Sequence, residues 1–316
     1  MQRPEISVVT TLYNSAPFIE EFLKETLQTI KDIGFQSYEI ILVNDGSPDN
    51  SLNLALDLKR NIYKNENIKI IDLSRNFGHH YAALCGLENS KGNLVFFIDS
   101  DLEVPPTTLK LFYEKYLEVK EKDDVDVVYG YQSNRIGKWS EKYSAQLFWK
   151  LFNFLSNIKV PENILSERLM TRRYVDALLQ MNDRNVFLGG MFYWVGFNQI
   201  GVDITRQKKR EKSNYSLIKK IVLFINAITS FSSYPLYLLF WIGIFMFFTT
   251  TLIILFLIIR KIIFPDTILI GYTSITVLLL HIEGLTILVV SILGLYIAKL
   301  FNQSLERPKY IVKDIY

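Results

Sequence analysis

At 316 residues the chain is long enough for about two average domains, and its net charge of +3 is too small to argue for a nucleic-acid partner. A single cysteine, Cys85, excludes an internal disulfide and fits a reducing compartment. The opening MQRPEISVVTTLYN lacks the apolar core and small-residue cleavage site of a secretory signal, so the first domain is expected in the cytoplasm.

Apolar runs then alternate with helix-like stretches. ISVVTTLY (6–13) reads as a strand and 17–33 as a helix; YEIILVND (38–45) is a strand and 50–63 a helix. IKIIDLS (68–74) is a strand and 79–90 a helix, and NLVFFIDS (93–100) is again a strand. A helix over 106–121 and a strand over DVDVVYGY (124–131) follow. Strands this apolar, alternating with helices, predict an α/β fold whose mostly parallel sheet is covered on both faces. In such sheets ligands bind beyond the carboxyl ends of the strands. Asn14, Asp45, Ser74 and Asp99 all fall at such ends. No GxGxxG follows the first strand, and there is no Walker loop, no GxSxG and no Cys/His zinc spacing.

FFIDSDLEVPP (96–106) drives an apolar strand into two carboxylates, Asp99 and Asp101, on either side of Ser100. Like charges this close need a positive partner. Two oxygens at this spacing suit a divalent cation that keeps waters and shares a substrate's phosphates. The plainer alternative is a turn and helix cap, with Asp101 ahead of LEVPP.

Between Arg206 and Lys220 lie seven Lys or Arg and one acid, Glu211. No charged residue occurs from Ile221 to Ile259, but SFSSYP interrupts the run and Pro235 favours a break. The stretch 217–231 is therefore expected to lie at a membrane surface, and 236–259 to span the bilayer, which needs about 20 apolar residues. A second span is expected over about 268–298; it carries His281 and Glu283, which need a protein or water partner in lipid. Lys and Arg flank the pair: seven ahead of it, Arg260 and Lys261 in the expected connecting loop, and Lys299, Arg307, Lys309 and Lys313 after it. That distribution favours both termini on the cytoplasmic side of an inner or plasma membrane. The expected organisation is a first domain over 1–205, a basic juxtamembrane segment with an interfacial helix over 206–233, two spans over 234–301 and a tail over 302–316. A homo-oligomer is plausible, because the spans carry polar residues that want partners.

SVVTTLYN, ILVNDGSPDNS, LSRNFGHHYAALCGL, KGNLVFFIDSDLEVPP, VDVVYGYQSNR, ERLMTRRYVDAL, FLGGMFYWVGF and SFSSYPL occur in the order seen in family-2 glycosyltransferases. The chain resembles the members that load a sugar onto a polyprenyl phosphate, the bactoprenol glucosyltransferase and dolichol-phosphate mannose synthase group, over nearly its whole length. The resemblance implies a GT-A fold, a nucleotide-sugar donor, a Mg²⁺ or Mn²⁺ ion and inversion at the sugar carbon. Asp45 would contact the nucleoside, Tyr13 and Asn14 would line the base pocket, and Ser74, Arg75 and Asn76 would border the donor. Thr11 and Ser100, in the same two motifs, are counted with the donor site. Asp99 and Asp101 would hold the metal and diphosphate, and Arg168 of ERLM would face the reacting phosphates. The family's first motif often has Pro and Glu where this chain has Thr11 and Ser15, and an Asp commonly stands where it has Ser166. Glu167 is a candidate substitute for that Asp.

The acceptor this resemblance implies is a phosphate monoester, whose second pKa is about 6, so at neutral pH it is mostly a dianion and needs no general base. It needs positioning and charge balance. Arg206, Lys209 and Arg210, with Ser213 and Tyr215 just beyond, suit that part in the stretch TRQKKREKSNYS (205–216). The same stretch also suits attraction to anionic lipid heads. A different glycan or lipid acceptor, or a non-catalytic scaffold that keeps the fold, are the alternatives.

Overall fold

The computed structural model describes residues 3–133, 150, 153–154, 161, 163–184, 186–205, 234–263 and 272–316. Four parallel strands form the centre of one eight-stranded sheet: β1 (Ile6–Leu12), β2 (Tyr38–Asn44), β3 (Ile68–Leu73) and β4 (Leu94–Phe97). Each is followed by a helix: α1 (Ile19–Ile33), α2 (Ser51–Asn61), α3 (His79–Glu88) and α4 (Thr108–Asp123). β5 (Val127–Tyr131), β6 (Ile164–Thr171), α5 (Arg172–Leu179), α6 (Leu188–Trp194) and β7 (Gln199–Asp203) complete the domain. The strand order is β7-β5-β6-β4-β1-β2-β3-β8, where β8 (Val312–Ile315) comes from the carboxyl terminus.

Strand alternation splits the core in two. Ile6, Val8 and Leu12 of β1 face a layer built from α1, α2 and α4, with Phe22, Leu58 and Phe112 at its centre. Val9, Val43 and Phe97 face a second layer built from α3, α5 and α6. Every residue of β1 is buried, as expected of a strand covered on both faces. α3 sets small residues against the sheet, Ala82, Ala83 and Gly86, and Gly86 comes so near that a Cβ there would lie 2.4 Å from Val9 Cγ1. That close approach brings the start of α3 down to the carboxyl edge of the sheet.

The expected strands and helices over 6–131 are all present, with ends moved by up to three residues; the largest shifts trim 93–100 to Leu94–Phe97 and 124–131 to Val127–Tyr131. Asp99 and Asp45 therefore lie just past the strands, free to face the edge. β6 is antiparallel to both β4 and β5, a pairing that no local pattern predicts. The tail expected over 302–316 is not a free extension, because β8 pairs antiparallel with β3.

Two long helices precede that tail: α7 (Tyr234–Ile263, 30 residues) and α8 (Tyr272–Ser304, 33 residues). Pro235 sits in the first turn of α7, where its missing N–H costs nothing. α7 continues through Arg260 and Lys261, which were expected in a connecting loop, and α8 continues six residues beyond the expected 298. Counting only the described residues, no helix is long and apolar enough to cross a membrane. The two helices nevertheless run unbroken, and α7 has no charged residue before Arg260. The expected surface helix over 217–231 lies outside the described residues.

Candidate functional site

The site is built at the carboxyl ends of β1 to β4. β2 ends at Asn44, and the next residue, Asp45, turns its carboxylate under the loop that follows β3. Its Oδ1 accepts from Phe77 N at 2.7 Å and its Oδ2 from Gly78 N at 3.0 Å. Asp45 is 2% exposed. Burial pushes its carboxyl above the usual range, while the two N–H groups pull against that rise. Gly46 lets the two loops touch: its φ is 56°, and a Cβ there would lie 2.4 Å from Asn76 N and 2.6 Å from Arg75 C. Asp45 and Gly46 thus hold the segment Ser74–Asn76 in place. Arg75 stacks on Phe77, its Cζ 4.1 Å from the ring centroid, and donates to Asn76 O at 3.0 Å.

The β1 end is fixed from the other side. Asn14 takes a left-handed φ of 52°, and its N–H donates to Ser47 Oγ at 2.8 Å. Tyr13 is 46% exposed beside it, a ring open to solvent. Ser100 donates to Thr11 O at 2.8 Å and its oxygen is paired with the Ser15 hydroxyl at 2.9 Å, so the first and fourth strand ends are tied together. Asp49 accepts from Ser47, Ser51 and the Ala16 N–H. Burial raises the Asp49 carboxyl, but those bonds outweigh it and leave it below the usual range.

Asp99 faces two side chains, Ser166 and His79. Ser166 Oγ of β6 donates to its Oδ2 at 2.9 Å, and His79 Nε2 stands 3.6 Å from its Oδ1, which is buried and has no hydrogen-bond partner. His79 Nδ1 lies 3.1 Å from Thr11 Oγ1. The amino end of α3, where His79 sits, carries the positive end of the helix dipole toward this carboxylate. Asp101 Oδ1 accepts from Glu103 N at 3.1 Å, so the turn expected as the plainer alternative is present at one of its oxygens.

Among the described residues no cluster of three or more His, Cys, Asp or Glu gathers around a point. Asp99 and Asp101 fit a cation as two carboxylates, one with an unbonded buried oxygen, with phosphates and water filling the other positions.

Arg168 pairs across from Phe97 in β4 and from Tyr129 in β5. It is 1% exposed and stacks on Phe192, Cζ 3.4 Å from the ring centroid. It donates to Ser166 O at 3.1 Å and Leu165 O at 3.3 Å, its Nη1 has no hydrogen-bond partner, and burial lowers its pKa. In this conformation the guanidinium, expected to face the reacting phosphates, is closed off beneath an aromatic ring. Glu167 is buried on the opposite face of β6, with Leu165 and Leu169, so it does not take up the place of Ser166. Arg206, Lys209, Arg210, Ser213 and Tyr215 lie outside the described residues.

The strand ends thus bring together Thr11, Tyr13, Asn14, Asp45, Ser74, Arg75, Asn76, Asp99, Ser100 and Asp101. Two residues that matter here were not among the expected ones. From sequence, His79 at the start of a helix reads equally as a donor contact or as a cap or surface residue, and Ser166 as a departure from a pattern; their spacing in HH and in S-x-R carries no signal for a partner 20 or 67 residues away.

Residues 7–179 match the family model described as "Glycosyl transferase family 2". Relatives match along nearly the full chain. The Bacillus subtilis protein named "Uncharacterized glycosyltransferase YkcC" is 32% identical over 99% of this chain and 94% of its own. The "Bactoprenol glucosyl transferase" of Shigella phage SfV is 30% identical over 98% of each. An Escherichia coli K12 protein, "Prophage bactoprenol glucosyl transferase homolog", is 30% identical over 98% of this chain and 99% of its own. The matched residues include the sheet strands that lead to Asp45 and Asp99, and the chain belongs to glycosyl transferase family 2.

Proposed function

We propose that this chain transfers a sugar from a nucleotide diphosphate to a polyprenyl phosphate at the cytoplasmic face of a membrane. The observation that carries the donor half is the convergence of Asp45, Asp99 and Asp101 with the Ser74–Asn76 segment at one sheet edge, beside the exposed ring of Tyr13. Two relatives named for bactoprenol, aligned end to end, support the lipid acceptor.

The two long helices support the membrane. At 1.5 Å per residue, α7 and α8 are about 45 and 50 Å long, more than the roughly 30 Å of a hydrocarbon core. Trp241, Phe245, Leu252 and Phe256 of α7 are each at least 60% exposed. Apolar surface of that extent needs a cover, and lipid supplies it. The helices are therefore read as two spans, with domain and termini on the cytoplasmic side and the basic stretch 205–216 near the headgroups.

Asp99 and Asp101 would hold a Mg²⁺ or Mn²⁺ ion, which when bound neutralises charge on the donor diphosphate. The chain's own residues do the rest. Tyr13 offers a face for the base to stack on, and Asp45 keeps the Ser74–Asn76 segment where ribose and phosphates pass. An acceptor phosphate oxygen attacks the anomeric carbon, the bond from that carbon to the diphosphate oxygen breaks, and the nucleoside diphosphate leaves with the electron pair. The acceptor arrives ionised, so no proton must be removed.

The test is nucleotide release by the purified full chain in lipid nanodiscs, supplied with undecaprenyl phosphate, Mn²⁺ or Mg²⁺, and UDP-, GDP- and dTDP-sugars in turn. Release that requires lipid, metal and an intact Asp101, and is lost in Asp101→Ala, is the expected result. Metal-dependent nucleotide binding without lipid-dependent release would point to another acceptor. Absence of nucleotide binding would overturn the enzyme reading.

A further inference from the structure

We propose that the carboxyl-terminal segment, residues 303–316, is a positioning element for the donor pocket, so that nucleotide binding depends on contacts made from the far end of α8. This rests on reading the Asp45–Asp99 edge as the donor site.

The segment reaches the pocket by two routes. The first runs through the sheet edge. β8 covers β3, and Ser74 N donates to Ile311 O at 2.9 Å, so the first donor-site residue past β3 is held by the tail. Lys313 Nζ stands 3.6 Å from Asp72 Oδ2, and Asp72 Oδ1 accepts from Asn44 Nδ2 at 2.7 Å, one residue before Asp45.

The second route runs through the loop after α5. Gln303, in the last turn of α8, accepts from Arg184 N at 2.9 Å and donates to Asn182 O at 3.1 Å. On its other side the loop is held by α3: Tyr81 OH donates to Arg184 O at 2.7 Å, and His80 Nδ1 lies 3.2 Å from Val186 O. The next residue back is His79, set between Thr11 and Asp99. A loop with little secondary structure of its own is thus clamped between the end of a long helix and the helix that carries a donor-site side chain. Removing either clamp leaves backbone groups of the loop without a partner and frees the start of α3 to move.

The tail also carries its own reporter. Tyr310 hydrogen-bonds Glu88 and neighbours Cys85, the chain's single cysteine, which is fully buried. Alkylation of Cys85 therefore reads tail docking independently of any nucleotide.

The experiment uses the full chain in nanodiscs and measures equilibrium binding of UDP and GDP with Mn²⁺, together with the rate of Cys85 alkylation by N-ethylmaleimide. Gln303→Ala and Tyr81→Phe are each expected to weaken nucleotide binding by about five- to tenfold, a coupling of the usual size between distant groups. The double variant should be no weaker than the worse single, because both act through one loop. Cys85 should stay slow in both, since β8 remains paired. Tyr310→Ala should speed alkylation and weaken nucleotide binding together. Wild-type binding in Gln303→Ala and Tyr81→Phe would overturn the proposal and leave the donor-site reading standing. Losses that multiply in the double variant would also overturn it. Failure of the wild-type chain to bind either nucleotide would overturn the donor-site reading, and the proposal with it. Should Gln303→Ala fail to fold, Tyr310→Ala, in the tail itself, decides: faster alkylation with wild-type nucleotide binding would overturn the proposal.

Discussion

Asp45→Asn tests how the donor edge is held. Each carboxylate oxygen of Asp45 accepts one backbone N–H, from Phe77 and Gly78. Asparagine keeps one acceptor and sets an NH₂ group against the other N–H. One charge-assisted bond is lost, worth about 1.5–3 kcal/mol, and one buried donor is left unmet, at about 1–3 kcal/mol. At 2% exposure, water has no route to replace the missing acceptor. Burial disfavours the charged form, which is why the Asp45 carboxyl is pushed up, and removing the charge returns part of that cost. A net loss of about 2–4 kcal/mol follows, or about 5–12 °C in thermal midpoint for a domain of this size. Thermal unfolding followed by circular dichroism measures it, and nucleotide binding should weaken in parallel because the Ser74–Asn76 segment is released. A midpoint within about 1 °C of wild type would show that the two bonds do not hold that loop.

Gly86→Ala should lower stability by about 1–3 kcal/mol, the range for overpacking a filled core, because its Cβ would press on Val9 Cγ1 at 2.4 Å and Val43 Cγ2 at 3.2 Å; an unchanged denaturation midpoint would mean that α3 can lift from the sheet freely. Burial lowers the His80 imidazole from 6.5 to about 4, so the folded chain holds it neutral while the unfolded chain takes up a proton first. Stability should then be full above pH 6.5 and fall as the pH drops towards 4, by at most about 3 kcal/mol. His80→Gln should flatten that slope in urea titrations, and persistence of the full slope would assign it to other groups. Ser166→Asp exchanges a donor for a third carboxylate beside Asp99; without divalent cation the midpoint should fall by several degrees, and Mn²⁺ should restore it. Equal midpoints with and without Mn²⁺ would refute the reading of Asp99 as the cation's carboxylate.

The first four strands and their helices were legible because each strand is a run of Val, Ile, Leu and Phe that ends where a polar residue begins. That pattern follows from burial on both faces, and it fixed Asn14, Asp45, Ser74 and Asp99 at one edge without any knowledge of pairing. β6 and β8 were not legible. ILSERLMT has the length of a strand, but its polar Ser166 and charged Glu167 and Arg168 break the apolar run, and burial of the two charged residues is decided by the neighbouring strands β4 and β5 and the helix layers on either side. β8 is only VKDI, and what makes it a strand is the open edge of β3 beside it.

Within the site, residue 166 shows what the linear pattern hides. In the chain it is two residues from Arg168; in the fold it donates to Asp99 at 2.9 Å, because β6 runs antiparallel beside β4. An aspartate there would add a third negative charge to the Asp99–Asp101 pair, and a serine relieves it. A serine also bears on the acceptor. A hydroxyl nucleophile must lose its proton in the transition state, and Ser166 cannot take it up. Glu167 faces the other layer of the core, and Arg168 is a cation under Phe192. An acceptor that arrives already ionised needs none of them as a base. A serine at 166 is thus compatible with a phosphate nucleophile, which asks this strand for no base.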